Sequence, residues 1–245
     1  MNLPNTLTVS RIVAAPVVAY LPFVASWPAR LGGFFLFLAI AITDYYDGKL
    51  ARESGQVTDL GKMLDPLADK LLVVATFVPM FMLVGSGGSL ALLSPYREPL
   101  VPGVAGPMVG ALGGLWTAQV AFPYITPLGA VGLPWWILAV VLGREVTMTI
   151  FRQFARRRGV LIAASGSAKW KTGFQLTWVG ASLFWFAAAT AAADYRWTSP
   201  LWNAAAQFIG IVNLASMAGA VGLTLWSLWL YAQRHRGLLL GSTTA

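Results

Sequence analysis

The sequence predicts an all-α integral membrane protein, a bundle of six transmembrane helices. Of its 245 residues, 57% are apolar and only 11% are charged, whereas soluble domains carry roughly 25% charged residues. The mean hydropathy is +0.67. Six stretches are apolar over the roughly 20 residues that a helix needs to cross a bilayer. They are residues 9–26, 30–47, 66–85, 134–154, 173–193 and 203–231.

We expect one domain spanning residues 1–245, because no linker or composition change divides the chain. Residues 86–133 are rich in proline and glycine, and their aromatic residues Trp116, Phe122 and Tyr124 are of the kind found at membrane interfaces. This segment is therefore predicted to be an external loop or insertion. A re-entrant segment or a seventh span at residues 103–115 is the alternative.

The distribution of positive charge predicts the orientation. The chain has 17 basic and 9 acidic residues, a net charge of +8, which on a hydrophobic chain favours anionic lipid headgroups over nucleic acid. If the segment between the second and third stretches is cytoplasmic, only Arg30, Arg97 and Arg196 of the 17 fall outside. The positive-inside rule then places both termini in the cytoplasm. The predicted location is the cell inner (cytoplasmic) membrane.

The first apolar stretch is predicted to be a membrane span and not a cleaved signal peptide. The residues before it, 2–8, are polar and helix-capping, whereas a signal peptide begins with a basic segment. We therefore expect the first helix to start after them.

Four aspartates lie where the second stretch ends and the third begins. Asp44 and Asp47 are three residues apart, and Asp65 and Asp69 are four apart, so each pair shares one helix face. Asp65 followed by Pro66 resembles an N-cap and the first position of a helix. Because about seventeen residues join the two pairs, both pairs can meet at one membrane interface.

Four carboxylates in a small volume at this depth need positive charge, because one aspartate inside a membrane helix costs roughly 2.5–3.5 kcal/mol. Their hard oxygen atoms suit Mg²⁺ or Mn²⁺. The chain has no cysteine and a single histidine, His235, which argues against zinc and other softer metals. Two such ions would bind a diphosphate and support an in-line displacement at phosphorus. The spacing thus predicts phosphoryl transfer.

Neighbouring residues fit a large phosphorylated substrate. Gly48 and Gly61 would let it approach the backbone, and Arg52 offers a fork for phosphate oxygens. The alternative is that Asp65 only caps a helix and that the other aspartates pair with nearby lysines at the surface.

The pattern D-x2-D-G-x2-A-R-x8-G-x3-D-x3-D resembles the signature of the CDP-alcohol phosphotransferases. It is matched without departure by Asp44, Asp47, Gly48, Ala51, Arg52, Gly61, Asp65 and Asp69. The resemblance implies a six-helix membrane enzyme, usually a homodimer, that moves a phosphatidyl or similar group from a CDP-linked donor to an alcohol and releases CMP. It implies metal ligation by Asp44, Asp47, Asp65 and Asp69, and a nucleotide pocket lined by Gly48, Ala51, Arg52 and Gly61.

Asp69 is predicted to be the general base as well. An attacking hydroxyl must lose its proton, and the cluster offers carboxylates but no histidine for this task. Because Asp69 lies deepest in the third helix, we expect desolvation to raise its pKa.

A second group of charges suggests the acceptor. Arg144 and Arg152 are eight residues apart on one face of the fourth helix, where a buried arginine needs an anion. With Lys169 and Lys171 they would form a clamp for a phosphate on the acceptor. Glycerol 3-phosphate is the simplest such acceptor. The alternative is a structural salt-bridge network that includes Glu145.

Four further segments resemble the branch of this family that uses CDP-diacylglycerol and glycerol 3-phosphate. They are N-L-P-N-T-L-T-V-S-R, L-D-P-L-A-D-K-L-L, G-R-E-V-T-M-T-I-F-R and K-W-K-T-G-F-Q. Ala168, where that branch commonly has glycine, and the insertion at 86–133 are departures.

Several rival functions remain. Relatives that use phosphatidylglycerol, inositol phosphate or serine as acceptor share the signature, so the charge of the acceptor pocket must discriminate between them. A membrane prenyltransferase would usually cross the bilayer more often and space its carboxylates differently. A divalent-cation transporter would need its aspartates near mid-membrane.

Overall fold

The computed structural model describes residues 3–53, 59–86, 122–157 and 167–234, and these form six α-helices. The helices are α1 (Leu3–Tyr20), α2 (Trp27–Glu53), α3 (Asp59–Val84), α4 (Trp135–Arg157), α5 (Ser167–Asp194) and α6 (Pro200–Arg234). Five of them, all but α4, contain a stretch long and apolar enough to cross a membrane. The all-α, multi-pass membrane fold is confirmed.

The predicted number of six spans is not confirmed, because α4 does not meet the same criterion of length and composition. Arg144, Glu145 and Arg152 interrupt its apolar run. Such charges are tolerated in a membrane bundle when they face its interior, and Arg144 is buried.

Three helix ends differ from the prediction. The polar segment expected to precede the first helix forms the first turns of α1, which starts at Leu3. Helix α2 continues to Glu53, so Asp44 and Asp47 lie inside it. Helix α3 starts at Asp59, so Asp65 does not cap it. Aspartate is itself favoured at a helix start, which gives α3 an earlier beginning than the Asp65-Pro66 pair.

The helices pack around a core that α5 supplies in large part. Helix α1 packs on α2 and α3, and α5 packs on α2 and α6. Trp178, Trp185 and Phe186 of α5 are fully buried beside Phe77 of α3. A 3₁₀ turn, Leu21–Phe23, and a short connection join α1 to α2. Short connections make neighbouring helices antiparallel, so the end of α2 lies beside the start of α3. Arg30 near the start of α2 contacts Thr190 near the end of α5, so the start of α5 lies at the same end of the bundle.

Four short strands lie at the other end. Strand β1 (Gly85–Ser86) pairs in parallel with β4 (Leu133–Pro134), and β2 (Tyr124–Thr126) pairs antiparallel with β3 (Gly129–Val131). The β2–β3 hairpin is packed into the bundle: the Cβ of any residue replacing Gly210 of α6 would stand 1.8 Å from the carbonyl oxygen of Ile125. Only glycine allows this approach.

Phe122 and Tyr124, two of the aromatic residues of the kind found at membrane interfaces, pack inside the protein. Both side chains are completely buried. The Tyr124 hydroxyl lies 2.6 Å from Ser182 Oγ and accepts a hydrogen bond from Trp178 Nε1 at 3.2 Å. Non-helical backbone inside a membrane bundle is stable only when protein groups satisfy it. Here Trp185 Nε1 donates to the carbonyl oxygen of Pro123 at 3.2 Å, and the Phe122 amide donates to the carbonyl oxygen of Leu83 at 3.1 Å. Residues 87–121, including Trp116 and the proposed extra span at 103–115, lie outside the described residues.

Arg30 is also buried, with 1% of the residue exposed. Its Nε donates to the carbonyl oxygen of Pro22 at 2.9 Å, and its Nη1 donates to the Thr190 hydroxyl. The guanidinium carbon lies 4.7 Å from the centre of the Phe122 ring. This arginine, assigned to the external side of the membrane, thus ties α2 to α5 and to the residue before the hairpin.

Candidate active site

Two aspartates of the predicted metal cluster meet at one arginine. Nη1 of Arg11, on α1, donates to Oδ1 of Asp44 on α2 and lies 3.5 Å from Oδ1 of Asp69 on α3. The Arg11 side chain is only 6% exposed, whereas those of Asp44 and Asp69 are 50% and 64% exposed. Three helices thus bring a buried cation and two accessible carboxylates together.

The position of Arg11 follows from the periodicity of α1. Thr8, Arg11, Ala15 and Val18 are all buried, and their spacing of three and four residues puts them on one face of the helix. Ala15 and Val18 direct that face into the bundle. Arg11 therefore points inward one to two turns earlier, and its Nη2 also donates to the Thr8 hydroxyl at 3.5 Å.

The geometry around Arg11 fits a cation site. Asp44 and Asp69 come from different helices, yet one oxygen of each already faces the same positive group. Carboxylate oxygens are the ligands that Mg²⁺ and Mn²⁺ prefer. Among the described residues no three acidic, histidine or cysteine side chains form a metal-binding group, since the side chains of Asp47 and Asp65 lie outside the described part.

The expectation that burial desolvates Asp69 is not met. Its side chain is the more exposed of the two described aspartates, at 64%, so the protein itself leaves this carboxylate open to solvent or substrate. Depth along a helix does not determine burial, because burial also depends on which side of the helix the residue occupies.

A second charged cluster joins α4, α5 and α6. Glu145 Oε1 accepts hydrogen bonds from Arg144 Nη1 at 2.9 Å and from Lys171 Nζ. Arg144 Nη2 also donates to Ser227 Oγ at 3.4 Å. The Arg144 and Lys171 side chains are only 9% and 7% exposed. The buried Nε of Arg144 has no hydrogen-bond partner in the described part of the chain.

The structure thus brings together half of the predicted clamp. Arg144 and Lys171 converge on Glu145, the network that was considered as the alternative. Arg152 lies on α4 and Lys169 on α5, but their side chains lie outside what the structure describes. The same holds for the other motif residues on α2 and α3, namely Asp47, Gly48, Ala51, Arg52, Gly61 and Asp65.

Sequence reasoning missed two side chains of these clusters. Arg11 was counted among the inner charges and ends the segment N-L-P-N-T-L-T-V-S-R, but it was given no role at the site, and Ser227 was not considered. A signal for Arg11 existed: it shares a helical stripe with small and apolar residues, where a cation needs an anionic partner. Nothing in the apolar sequence of α6 marks Ser227.

Comparison with known proteins gives matches over most of the chain. A family model described as CDP-alcohol phosphatidyltransferase matches residues 1–101 and 107–226. A CDP-diacylglycerol–glycerol-3-phosphate 3-phosphatidyltransferase of Rickettsia bellii is 44% identical over 103 residues, which cover 42% of this chain and 57% of that protein. The chain therefore spans just over half the length of this relative.

Two plant relatives align over nearly the whole chain. A CDP-diacylglycerol–glycerol-3-phosphate 3-phosphatidyltransferase of Arabidopsis thaliana is 27% identical over 244 residues, 98% of this chain and 82% of that protein. A cardiolipin synthase (CMP-forming) of Oryza sativa is 28% identical over 244 residues, 98% of this chain and 59% of that protein.

Proposed function

The chain belongs to the CDP-alcohol phosphatidyltransferase family, and on that premise we propose that it is a phosphatidyltransferase specific for glycerol 3-phosphate. It transfers a phosphatidyl group from CDP-diacylglycerol to sn-glycerol 3-phosphate, giving phosphatidylglycerophosphate and CMP. The observation that carries the proposal is that Asp44 and Asp69 both contact the guanidinium of Arg11. This contact lies at the end of the bundle where the eight signature positions lie.

Members of this family generally depend on a divalent metal ion. The ligands proposed here are Asp44, Asp47, Asp65 and Asp69, holding two Mg²⁺ or Mn²⁺ ions that would offset the negative charge of the donor diphosphate. The proposed nucleotide pocket is lined by Gly48, Ala51, Arg52 and Gly61.

Asp69 performs the proton transfer. Its accessible carboxylate takes the proton from the 1-hydroxyl of glycerol 3-phosphate. The oxygen then bonds to the lipid-bearing phosphorus, and the bond from that phosphorus to the CMP oxygen breaks. CMP leaves, and the lipid product stays in the membrane.

The acceptor phosphate is bound by Arg144 and Lys171, with Arg152 and Lys169 as the further members of the clamp. The support is the burial of both cations and the buried Nε of Arg144, which has no hydrogen-bond partner among the described residues. An Arg–phosphate pair is bidentate and charge-assisted, so it would use the Nε and Nη donors of Arg144.

A cavity between α2 and α5 supports a lipid donor. It has a volume of about 640 Å³, and its walls are apolar except for Thr177. Its lining includes Phe34, Phe37 and Ile42, and Ile42 is two residues from Asp44. Two residues correspond to about 3 Å along a helix axis, so an acyl chain in this cavity would end near the level of Asp44 along α2.

Acceptor specificity is tested by a panel. The purified full-length protein is given CDP-diacylglycerol and Mg²⁺ with glycerol 3-phosphate, phosphatidylglycerol, inositol phosphate or serine, and CMP release and the lipid product are measured. We expect CMP and phosphatidylglycerophosphate with glycerol 3-phosphate. Release with phosphatidylglycerol alone would instead favour the activity named for the Oryza sativa relative.

The proposed setting is the cell inner (cytoplasmic) membrane, with both termini and the active site cytoplasmic and the chain acting as a single-domain homodimer. The charge distribution supports the orientation, and the extent of the family match supports one domain. Because the chain has no cysteine, Thr198→Cys and Ala232→Cys give single labelling sites. A membrane-impermeant maleimide should label Thr198→Cys in intact cells and Ala232→Cys only after permeabilisation.

A further inference from the structure

Arg11 lies outside the eight-position signature, on a helix that contributes none of its residues. Even so, its side chain contacts both Asp44 and Asp69. Its guanidinium is buried while both carboxylates are half or more exposed. The carboxylates can therefore receive a further ligand from the open side without Arg11 leaving its place.

The charges explain why such a residue is needed. Asp44 and Asp69 belong to separate helices, and two carboxylates held close together repel each other. Helices α2 and α3 carry two more aspartates in the same motif. Without a cation between them, the inner parts of α2 and α3 would be pushed apart. A buried arginine that lost both carboxylates would be equally unfavourable.

We infer that Arg11 is a positioning residue that holds Asp44 and Asp69 together in the metal-free protein, the state in which no divalent ion offsets their repulsion. The inference rests on the proposed function only in taking these aspartates as the metal ligands. Arg11 supplies positive charge from α1, so the ligands of α2 and α3 stay close enough to receive the ions and the donor diphosphate.

This role has a thermodynamic signature. Divalent ions bind the folded site and stabilise it, and they offset the same negative charge as Arg11. Loss of Arg11 should therefore destabilise the metal-free protein strongly and the metal-loaded protein much less. A residue that only packs α1 against α3 would cost the same stability in both states.

The experiment measures the midpoint of thermal unfolding of the purified full-length protein in EDTA and in saturating MgCl₂. For Arg11→Gln we expect a loss in EDTA that exceeds the loss in MgCl₂ by at least about 3 °C, the shift that losing an ion pair with accessible carboxylates implies for a chain of this size. Arg11→Lys keeps the positive charge but lacks the planar guanidinium, with its several N–H donors. Its loss in EDTA should exceed its loss in MgCl₂ by a smaller margin.

Arg30→Gln is the matched control. Arg30 is equally buried, but its partners described above are a carbonyl, a hydroxyl and an aromatic ring at the other end of the bundle. Its loss should be the same in EDTA and in MgCl₂. If Arg30→Gln also regained stability with metal, the gain would not be specific to the site and the inference would be wrong.

The outcomes separate this inference from the proposed function. An equal loss for Arg11→Gln in both conditions, with the wild type still stabilised by MgCl₂, overturns the role of Arg11 and leaves the metal site standing. A wild type that MgCl₂ does not stabilise overturns both. If Arg11→Gln does not fold, Arg11→Lys decides by the same comparison. The acceptor does not enter any of these measurements.

Discussion

Nη1 of Arg144 lies 2.9 Å from Oε1 of Glu145, the next residue in the chain. Adjacent residues on a helix point in different directions, so this contact requires both side chains to turn toward a common point. Lys171 donates to the same oxygen from α5. One carboxylate oxygen thus serves two buried cations, an arrangement that a phosphate with several oxygens would satisfy more fully.

Arg144→Ala should raise the KM for glycerol 3-phosphate with a smaller effect on kcat. Loss of charged hydrogen bonds worth roughly 1.5–3 kcal/mol corresponds to about a tenfold to hundredfold weaker acceptor binding. The measurement is CMP release against glycerol 3-phosphate concentration at saturating CDP-diacylglycerol. Ser227→Ala removes only the neutral partner at 3.4 Å and should change KM little. An unchanged KM for Arg144→Ala would exclude the clamp.

Asp69→Asn should reduce turnover by at least roughly 100-fold, because an amide cannot accept the proton of the attacking hydroxyl. The thermal midpoint in MgCl₂ should fall by only a few degrees, since the side chain is largely exposed. Asp194→Asn, at the far end of α5, is the control and should keep full activity. Substantial residual turnover of Asp69→Asn would remove its role as base.

Gly210→Ala should destabilise the protein strongly. The new methyl group would stand 1.8 Å from the Ile125 carbonyl oxygen, so either α6 or the β2–β3 hairpin must move. Gly222 lies on the same helix, and a methyl group added there would meet no atom of the described residues within 4 Å. Gly222→Ala should therefore be neutral or stabilising by up to about 1 kcal/mol. Thermal unfolding of the two variants side by side provides the measurement. Equal midpoints would mean that the hairpin does not press on α6.

Tyr124→Phe should cost about 1–3 kcal/mol of stability, since Trp178 Nε1 loses its acceptor and Ser182 loses a partner in a fully buried place. Denaturant or thermal unfolding measures the loss. Tyr195→Phe is the control, because Tyr195 is 61% exposed, and its effect should be close to zero. A loss no larger for Tyr124→Phe than for this control would contradict the buried network.

The sequence predicted the features that depend on neighbouring residues. Long apolar runs identify α2, α3, α5 and α6 because a bilayer requires about 20 apolar residues per crossing. The spacing of Asp44 and Asp69 placed them near one end of the bundle, and the structure brings them to one guanidinium. For α4, the sequence predicted a span at residues 134–154, but the charges that suggested an acceptor site keep this helix below the criterion of length and composition that the other five meet.

Features that depend on distant partners could not be predicted. Arg11 contacts Asp44 across 33 residues, and the Tyr124 hydroxyl meets Ser182 across 58. In a proline-rich segment, the sequence does not distinguish an aromatic residue at the membrane interface from one in the protein core. Only the packing of β2 against α6 decides between the two, and that packing depends on the absence of a side chain at Gly210.

Arg30 has a consequence for how the chain is made. Its Nη1 donates to Thr190, which follows 160 residues later, so α2 is synthesised long before the hydroxyl that binds its arginine. A nascent chain that ends before α5 therefore carries a cation at a membrane-embedded position without this contact. Insertion of α5 completes the site, which makes the final arrangement of α2 a late event in biogenesis.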